Sequence, residues 1–456
     1  MMKEEWSKEI PIMVAGAGRS GLNAVRLLQK AGYTPVLYDE NSRLDRKALT
    51  DKLDGHECEM ILGELSPEDA KRMQLCASSP GIPLTRPFVK VLQEAGTPII
   101  SEIALAYHFH KGRLIAVTGT NGKTTTTALT GHILRGCRDK VFVLGNIGRA
   151  WSEEVLETTD DSITVVEMSS FQMESLPKVD PAAAIITNIT PDHLDRHGSM
   201  ENYVDIKMKV TLSQSEDEYL VLNRESAWME NVPSRTRAHI VYFSSQRELK
   251  EGCFLRDGEI ILRWKDEPGA DICTAADLHL IGKFNYENVM GAVLLAKAVG
   301  VPNDVISRQV LSFTAVPHRM EFVCTKDGVD YYNDSKGTNV DSTVKALEIM
   351  TKPTVLIAGG FDKGADYTEM VQLFRGRVKQ LILLGQTKEA IAACTDRICP
   401  VPYCFVENME EAVRRAEETA VPGDTVLLSP ACASWDMYPN FEVRGEHFKR
   451  LVREEL

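Results

Sequence analysis

The chain contains no C-x-x-C pair, and Cys394, Cys399 and Cys404 have no histidine at zinc-ligand spacing. Its ten cysteines therefore read as free, mostly buried thiols, not as a disulfide frame or a zinc site. No apolar run is long enough to span a bilayer, and the opening segment from Met1 to Gly16 carries Lys3, Glu4, Glu5, Lys8 and Glu9 before a short apolar run, unlike a secretory leader. A cytoplasmic protein without membrane insertion is expected. Positive charge is scarce: 52 basic against 65 acidic residues leave a net charge of -13 with no basic block, which argues against a nucleic-acid surface. Repeats of fixed short period and low-complexity linkers are also missing, so domain boundaries are placed by counting α/β units.

What is present is ample apolar material. With 43% hydrophobic residues among 456, the chain is too long for one ordinary core, and three domains are expected. Short apolar runs bounded by glycine or proline recur from Ile12 to Ala15, Pro35 to Tyr38, Leu114 to Val117, Ile163 to Val166, Ala183 to Thr187 and Tyr219 to Leu222. Further runs span Thr354 to Ala358, Leu381 to Leu384 and Thr425 to Leu428. Each reads as a buried strand, and helix-like segments such as Leu22 to Lys30 and Thr124 to Leu134 follow several of them. Such alternation implies an α/β fold with parallel sheets. Cuts near Glu102 and Ala315 give domains of residues 1–102, 103–315 and 316–456, and the stretch from about Glu225 to Asp277 carries no readable motif.

Two glycine loops carry the chemistry. Gly16-Ala17-Gly18-Arg19-Ser20-Gly21 follows a strand and opens a helix, with Asp39 ending the next strand, the pattern of a dinucleotide fingerprint. Its physics suits any phosphate, because small residues let the backbone approach and a helix start offers unpaired N–H groups. A nicotinamide cofactor, a UDP-sugar and a merely structural tight turn all remain open at this point. The second loop, Thr118-Gly119-Thr120-Asn121-Gly122-Lys123-Thr124-Thr125, follows the strand from Leu114 to Val117. Its backbone around Gly119 to Lys123 can cradle phosphates, Lys123 can neutralise them, and the Thr124 hydroxyl suits Mg²⁺. Val117 stands where a full P-loop has its first glycine.

The string Gly-Thr-Asn-Gly-Lys-Thr resembles the shortened ATP loop of the Mur ligase family, which makes amide bonds through acyl phosphates. Matching motifs follow in the family's order: Glu167-Met168-Ser169-Ser170-Phe171-Gln172, Asp192-His193-Leu194-Asp195-Arg196, Tyr203 with Lys207, and Asn285 with Asn288. The resemblance implies an N-terminal Rossmann-like UDP-binding domain, a central P-loop ATPase-like domain with a parallel sheet, and a C-terminal Rossmann-like domain that takes the amino acid. It implies ATP contacts at Gly119, Thr120, Asn121, Gly122, Lys123, Thr124, Thr125, Asn285 and Asn288, although Phe284 replaces the histidine usual before Asn285. Two Mg²⁺ ions are implied at Thr124, Glu167, His193 and a carbamylated Lys207. Asp192 and Asp195 read as loop-shaping. Tyr203 and Lys207, at i and i+4 of a helix, share one face, which favours Lys207 over Lys209 for the modification.

The C-terminal third matches too. His318-Arg319-Met320-Glu321 implies that Arg319 serves the γ-phosphate, and Asp334-Ser335-Lys336-Gly337-Thr338-Asn339 places Asp334 at the nucleotide and Lys336 near the reacting groups. Gly359-Gly360-Phe361-Asp362-Lys363-Gly364 and Ser429-Pro430-Ala431-Cys432-Ala433-Ser434-Trp435-Asp436, followed by Asn440-Phe441 and Arg444-Gly445, resemble the branch that adds D-glutamate. Thr338, Lys363, Ser434 and Phe441 would then surround the D-glutamate carboxylates. The D-N-P-R string of the diaminopimelate-adding branch is missing, and the N-terminal nucleotide loop argues against the related folylpolyglutamate synthases. For the first loop, the resemblance implies a UDP-sugar held by Gly18, Arg19, Ser20, Asp39, Ser79, Pro80 and Gly81, with Asn146 and His193 towards the sugar-peptide. Catalytic roles are implied for Lys123, His193, Lys207, Lys336 and Arg319. The expected substrates are ATP, D-glutamate and UDP-N-acetylmuramoyl-L-alanine, and the family is expected to act as a monomer. A nicotinamide dehydrogenase would leave the P-loop unexplained, and a non-catalytic nucleotide-binding module would leave Lys123, Glu167, His193 and Lys207 without purpose.

Overall fold

A computed structural model describes residues 5–280, 282–314 and 316–454. The first four residues of the opening segment and Ala315, where the second expected boundary falls, lie outside the described residues. The chain forms two compact units, Met1–Asp277 with Lys283–Leu311, and Leu278–Gly282 with Ser312–Leu456.

The first unit holds two sheets. One has five strands, all parallel, in the order Glu59–Leu62, Pro35–Asp39, Ile12–Ala15, Leu75–Ser78 and Ile99–Ser101. Ile12, Met13, Val14 and Ala15 are all buried, as a strand covered on both faces requires. The chain leaves the central strand in one direction first and then crosses to the other, so a topological switch point lies beside Ile12–Ala15. The helix Arg19–Lys30 packs Leu22, Val25 and Leu28 inward at helical spacing.

The second sheet has nine strands, in the order Ala270–Thr274, Glu259–Arg263, Gly252–Arg256, His239–Ser244, Tyr219–Asn223, Ala183–Ile186, Arg113–Thr118, Ile163–Glu167 and Val141–Gly145. Its core is parallel as expected, but the last two pairings at one edge are antiparallel. The cause is local. Asp257 and Gly258 both adopt positive φ, 52° and 85°, and close a two-residue hairpin between Arg256 and Glu259. This hairpin lies within the stretch that had no motif.

The second unit has one six-stranded sheet, ordered Glu321–Lys326, Val329–Asn333, Thr425–Leu428, Thr354–Ala358, Val378–Leu383 and Tyr403–Phe405. Its first pair is an antiparallel hairpin closed by Asp327 and Gly328 at φ 52° and 76°; the other pairings are parallel. All ten cysteines are free and six of them are buried. Among the described residues no helix is long and apolar enough to cross a membrane.

Candidate active site

At the switch point of the five-stranded sheet lies a cleft of about 400 Å³. Its lining includes Gly18, Arg19, Ser20, Asp39, Ser79, Pro80 and Gly81, which brings together seven residues expected at the UDP end. Asp39 is already engaged: its carboxylate accepts from the backbone N–H of Ala17 at 2.8 Å and of Asn41 at 2.9 Å. It anchors the glycine loop as well as facing the cleft. Tyr38, Glu40, Ile82 and Phe88 also line the cleft and were missed, although Tyr38 and Glu40 flank the singled-out Asp39. Asn146 and His193 do not line it.

The P-loop follows Arg113–Thr118 and runs into the helix Lys123–Arg135. Gly119 and Gly122 have φ of 139° and 81°, and a β-carbon would strike Thr187 Oγ1 at Gly119 and Asn288 Oδ1 at Gly122. The loop is pinned from the next strand end: Asn121 N–H donates to Asn188 Oδ1 at 2.9 Å, and Thr120 N–H to the Asn188 carbonyl at 2.9 Å. Asn285 and Asn288 are buried on Lys283–Ala298, joined to each other at 3.3 Å, with Asn288 reaching Thr126 at 3.5 Å.

Two lysines converge on one carbonyl of this loop. Lys123 Nζ donates to the Gly119 carbonyl at 3.0 Å and to Thr120 O at 2.7 Å. Lys207 Nζ donates to the same Gly119 carbonyl at 2.8 Å. Lys207 is only 1% exposed, on the helix Met200–Met208, with its ammonium 4.4 Å from the centroid of the buried Tyr203 ring. Burial, and secondarily the Lys123 charge, pushes the Lys207 pKa well below the usual lysine range. Lys209 is half-buried and donates to the Glu174 carbonyl at 2.6 Å.

Glu167 ends the neighbouring strand, in register with Val117. It is 1% exposed; Oε1 accepts from Asn146 Nδ2 at 3.0 Å, whereas the buried Oε2 has no hydrogen-bond partner. An orphaned carboxylate oxygen beside a phosphate loop fits a hard cation. Asn146 thus stands with Glu167 instead of in the UDP cleft. His193 sits at positive φ of 53°, half exposed, its ring 4.7 Å from Phe171 and Nε2 3.5 Å from Asp192. The Asp195 side chain lies outside the described residues. Among the described residues no three His, Cys, Asp or Glu side chains cluster to hold a metal by themselves, so a cation here would need oxygens from Thr124, nucleotide or a modified lysine.

In the second unit the chemistry-bearing loops leave the C-terminal ends of the adjacent strands Val329–Asn333, Thr425–Leu428 and Thr354–Ala358. Asp334 is buried, accepts from Ser429 Oγ at 2.7 Å and from Met320 N–H at 3.3 Å, and has its pKa raised to about 6 by desolvation. Nε of Arg319 is buried without a partner. Arg444 was noted only as part of a motif. It is 3% exposed and donates to Ser335 Oγ at 2.9 Å, to the Ser335 carbonyl at 2.8 Å and to the Cys432 carbonyl at 3.2 Å. It thereby ties the loop carrying Lys336 and Thr338 to the loop carrying Ser434. Lys336 Nζ lies 5.8 Å from the Phe441 ring centroid, and the exposed Lys363 Nζ lies 4.7 Å from that of Trp435. Ser434 is buried and Thr338 half-buried.

Three family models match this chain in succession: the Mur ligase MurD-like N-terminal domain over residues 11–101, the Mur ligase middle domain over 117–296, and the Mur ligase glutamate ligase domain over 318–432. The chain belongs to the Mur ligase family, and its fold is the family's three-domain α/β fold. Among its relatives, the UDP-N-acetylmuramoylalanine–D-glutamate ligase of Lachnospira eligens is 45% identical over 98% of this chain and 99% of its own length. The protein of the same name from Lachnoclostridium phytofermentans is 45% identical, covering 97% of each chain. Among solved structures, UDP-N-acetylmuramate-alanine ligase from Thermotoga maritima superposes with a TM-score of 0.60 at 17% identity, over 96% of this chain and 98% of that one. MurF from Acinetobacter baumannii gives 0.63 at 13% identity, over 96% of this chain and 93% of its own.

Proposed function

We propose that this chain joins D-glutamate to the alanine carboxylate of UDP-N-acetylmuramoyl-L-alanine at the expense of ATP, a step in making peptidoglycan precursors, and that it works as a cytoplasmic monomer. The observation that carries the reading is the meeting of Lys123 and Lys207 on the Gly119 carbonyl, in the same loop system as the partnerless Glu167 oxygen. Such a site suits a nucleotide triphosphate and its cation. The relatives' name supports the choice of acceptor and amino acid.

Residues 1–102 would take the UDP-sugar at Gly18, Arg19, Ser20, Asp39, Ser79, Pro80 and Gly81. Residues 103–315 would take ATP on Gly119 to Thr125, Asn285 and Asn288, and residues 316–456 the amino acid. Arg319 and Asp334 would serve the nucleotide. Mg²⁺, held by Thr124, Glu167, His193 and a carbamylated Lys207, would screen phosphate charge during transfer. Two ions are proposed.

The reaction has two steps. Lys123 and Arg319 orient the γ-phosphoryl group of ATP, which moves to an oxygen of the alanine carboxylate, giving an acyl phosphate and leaving ADP. Lys363, Thr338, Ser434 and Phe441 hold D-glutamate so that its amine attacks the acyl carbon. The tetrahedral adduct, its oxyanion facing Lys336, loses phosphate and the amine proton and becomes an amide.

The test is phosphate release by purified protein with ATP, Mg²⁺ and UDP-N-acetylmuramoyl-L-alanine, comparing D-glutamate with L-glutamate, L-lysine and meso-diaminopimelate. Release with D-glutamate alone, with formation of the amide, is expected. Activity with a different amine keeps the ligase and moves its specificity, and silence with all four overturns the reading.

A further inference from the structure

Trp435 is the most exposed of the chain's large apolar side chains among the described residues, at 62%, so core packing does not explain it. Two groups approach its ring: Phe361 edge-on at 5.6 Å between centroids, and the Lys363 ammonium at 4.7 Å. Lys363 lies in a surface loop, from Phe361 to Gly364, and the aromatic face is the contact that restrains this flexible cation.

The backbones beneath the two side chains are locked together. Phe361 N–H donates to the Ala433 carbonyl at 2.9 Å, and Gly359 N–H to the Pro430 carbonyl at 2.9 Å. Gly360, at φ 149°, allows this approach, because a β-carbon there would meet the Ala433 carbonyl at 2.4 Å. Lys363 and Trp435 are thus presented in fixed register, and the remaining freedom is in the lysine side chain itself.

We propose that Trp435 is a positioning residue that holds the Lys363 ammonium for a carboxylate of the incoming amino acid. This rests on the reading of Lys363 as a D-glutamate ligand. The quadrupole of the indole face attracts the ammonium without neutralising it, whereas a carboxylate partner would compete with the substrate. The charge stays available and the rotamers it must give up on binding are already few.

The experiment is steady-state kinetics of Trp435→Leu, Trp435→Phe, Lys363→Met and the double variant Trp435→Leu/Lys363→Met, with the melting temperature of each recorded. The expected result is a rise in D-glutamate KM of roughly fivefold for Trp435→Leu, with kcat and the ATP KM within about twofold and most of the loss recovered in Trp435→Phe. Trp435→Leu should add nothing on top of Lys363→Met, since a residue acting through Lys363 has no effect once that cation is gone. An unchanged D-glutamate KM in Trp435→Leu, or an equal further rise in the double variant, overturns the role of Trp435. An unchanged KM in Lys363→Met instead overturns the reading of Lys363 on which it rests.

Discussion

The P-loop of the first unit and the Lys363 loop of the second both follow the C-terminal ends of parallel strands, yet they treat charge in opposite ways. At the P-loop the key groups are buried: Lys207 and Glu167 are each 1% exposed, and backbone carbonyls and an asparagine hold them. In the second unit Lys363 is exposed and lies against an aromatic ring, the buried Arg444 braces loops, and Asp334, proposed to serve the nucleotide, is buried on Ser429. The difference suits the ligands proposed for each end, since a triphosphate and its cation bring more charge to offset desolvation of the residues that receive them than a small amino acid does. On that proposal one end would do the chemistry and the other the choosing.

The largest effect that would break this comparison is at Lys123. Lys123→Ala should lower the rate of ADP formation by about a thousandfold or more, measured by coupled assay at saturating substrates. A loss as small as that at the exposed Lys363 would show that the P-loop lysine and the surface lysine do the same work. Asp334 sharpens the contrast next. Its pKa is raised to about 6, so the folded chain holds this proton to higher pH than the unfolded chain does. The stability it contributes is present at low pH and is lost as pH rises from about 4 through about 6. Asp334→Asn should remove that dependence, so chemical denaturation of wild type and variant should diverge by up to about 3 kcal/mol between those limits. The smallest effect is at Lys363, where Lys363→Ala should raise the D-glutamate KM about tenfold with little change in the ATP KM. Equal damage to both substrates would erase the division.

Much of the parallel core was legible because its strands are short apolar runs: Ile12–Ala15, Thr354–Ala358 and Thr425–Leu428 begin and end where the residues suggest. The antiparallel additions were not read, although Arg256-Asp257-Gly258-Glu259 and Lys326-Asp327-Gly328-Val329 each carry an Asp-Gly pair of the kind that closes tight hairpins. Counting helix–strand alternation passes over two strands joined by two residues. For the site, glycine loops and spacing pointed to Lys123 and to the UDP cleft. Lys207 is different: a lysine on a helix is ordinarily solvated, and only family likeness singled it out before the fold showed its burial. Tyr38, Ile82 and Phe88 escaped because they read as ordinary core and turn residues, and a cleft is formed by strand order that no short motif encodes. Arg444 escaped for a related reason, since its partner Ser335 lies 109 residues away in sequence.

The shared carbonyl of Gly119 has a consequence for turnover. Two ammonium groups on one buried carbonyl oxygen repel each other, which adds to the burial that depresses the Lys207 pKa. On the proposed function, carbamylation of Lys207 would remove one of these charges and turn it into a ligand for the cation. The phosphates would then draw Lys123 alone from the carbonyl, so that loading the loop exchanges one partner for another.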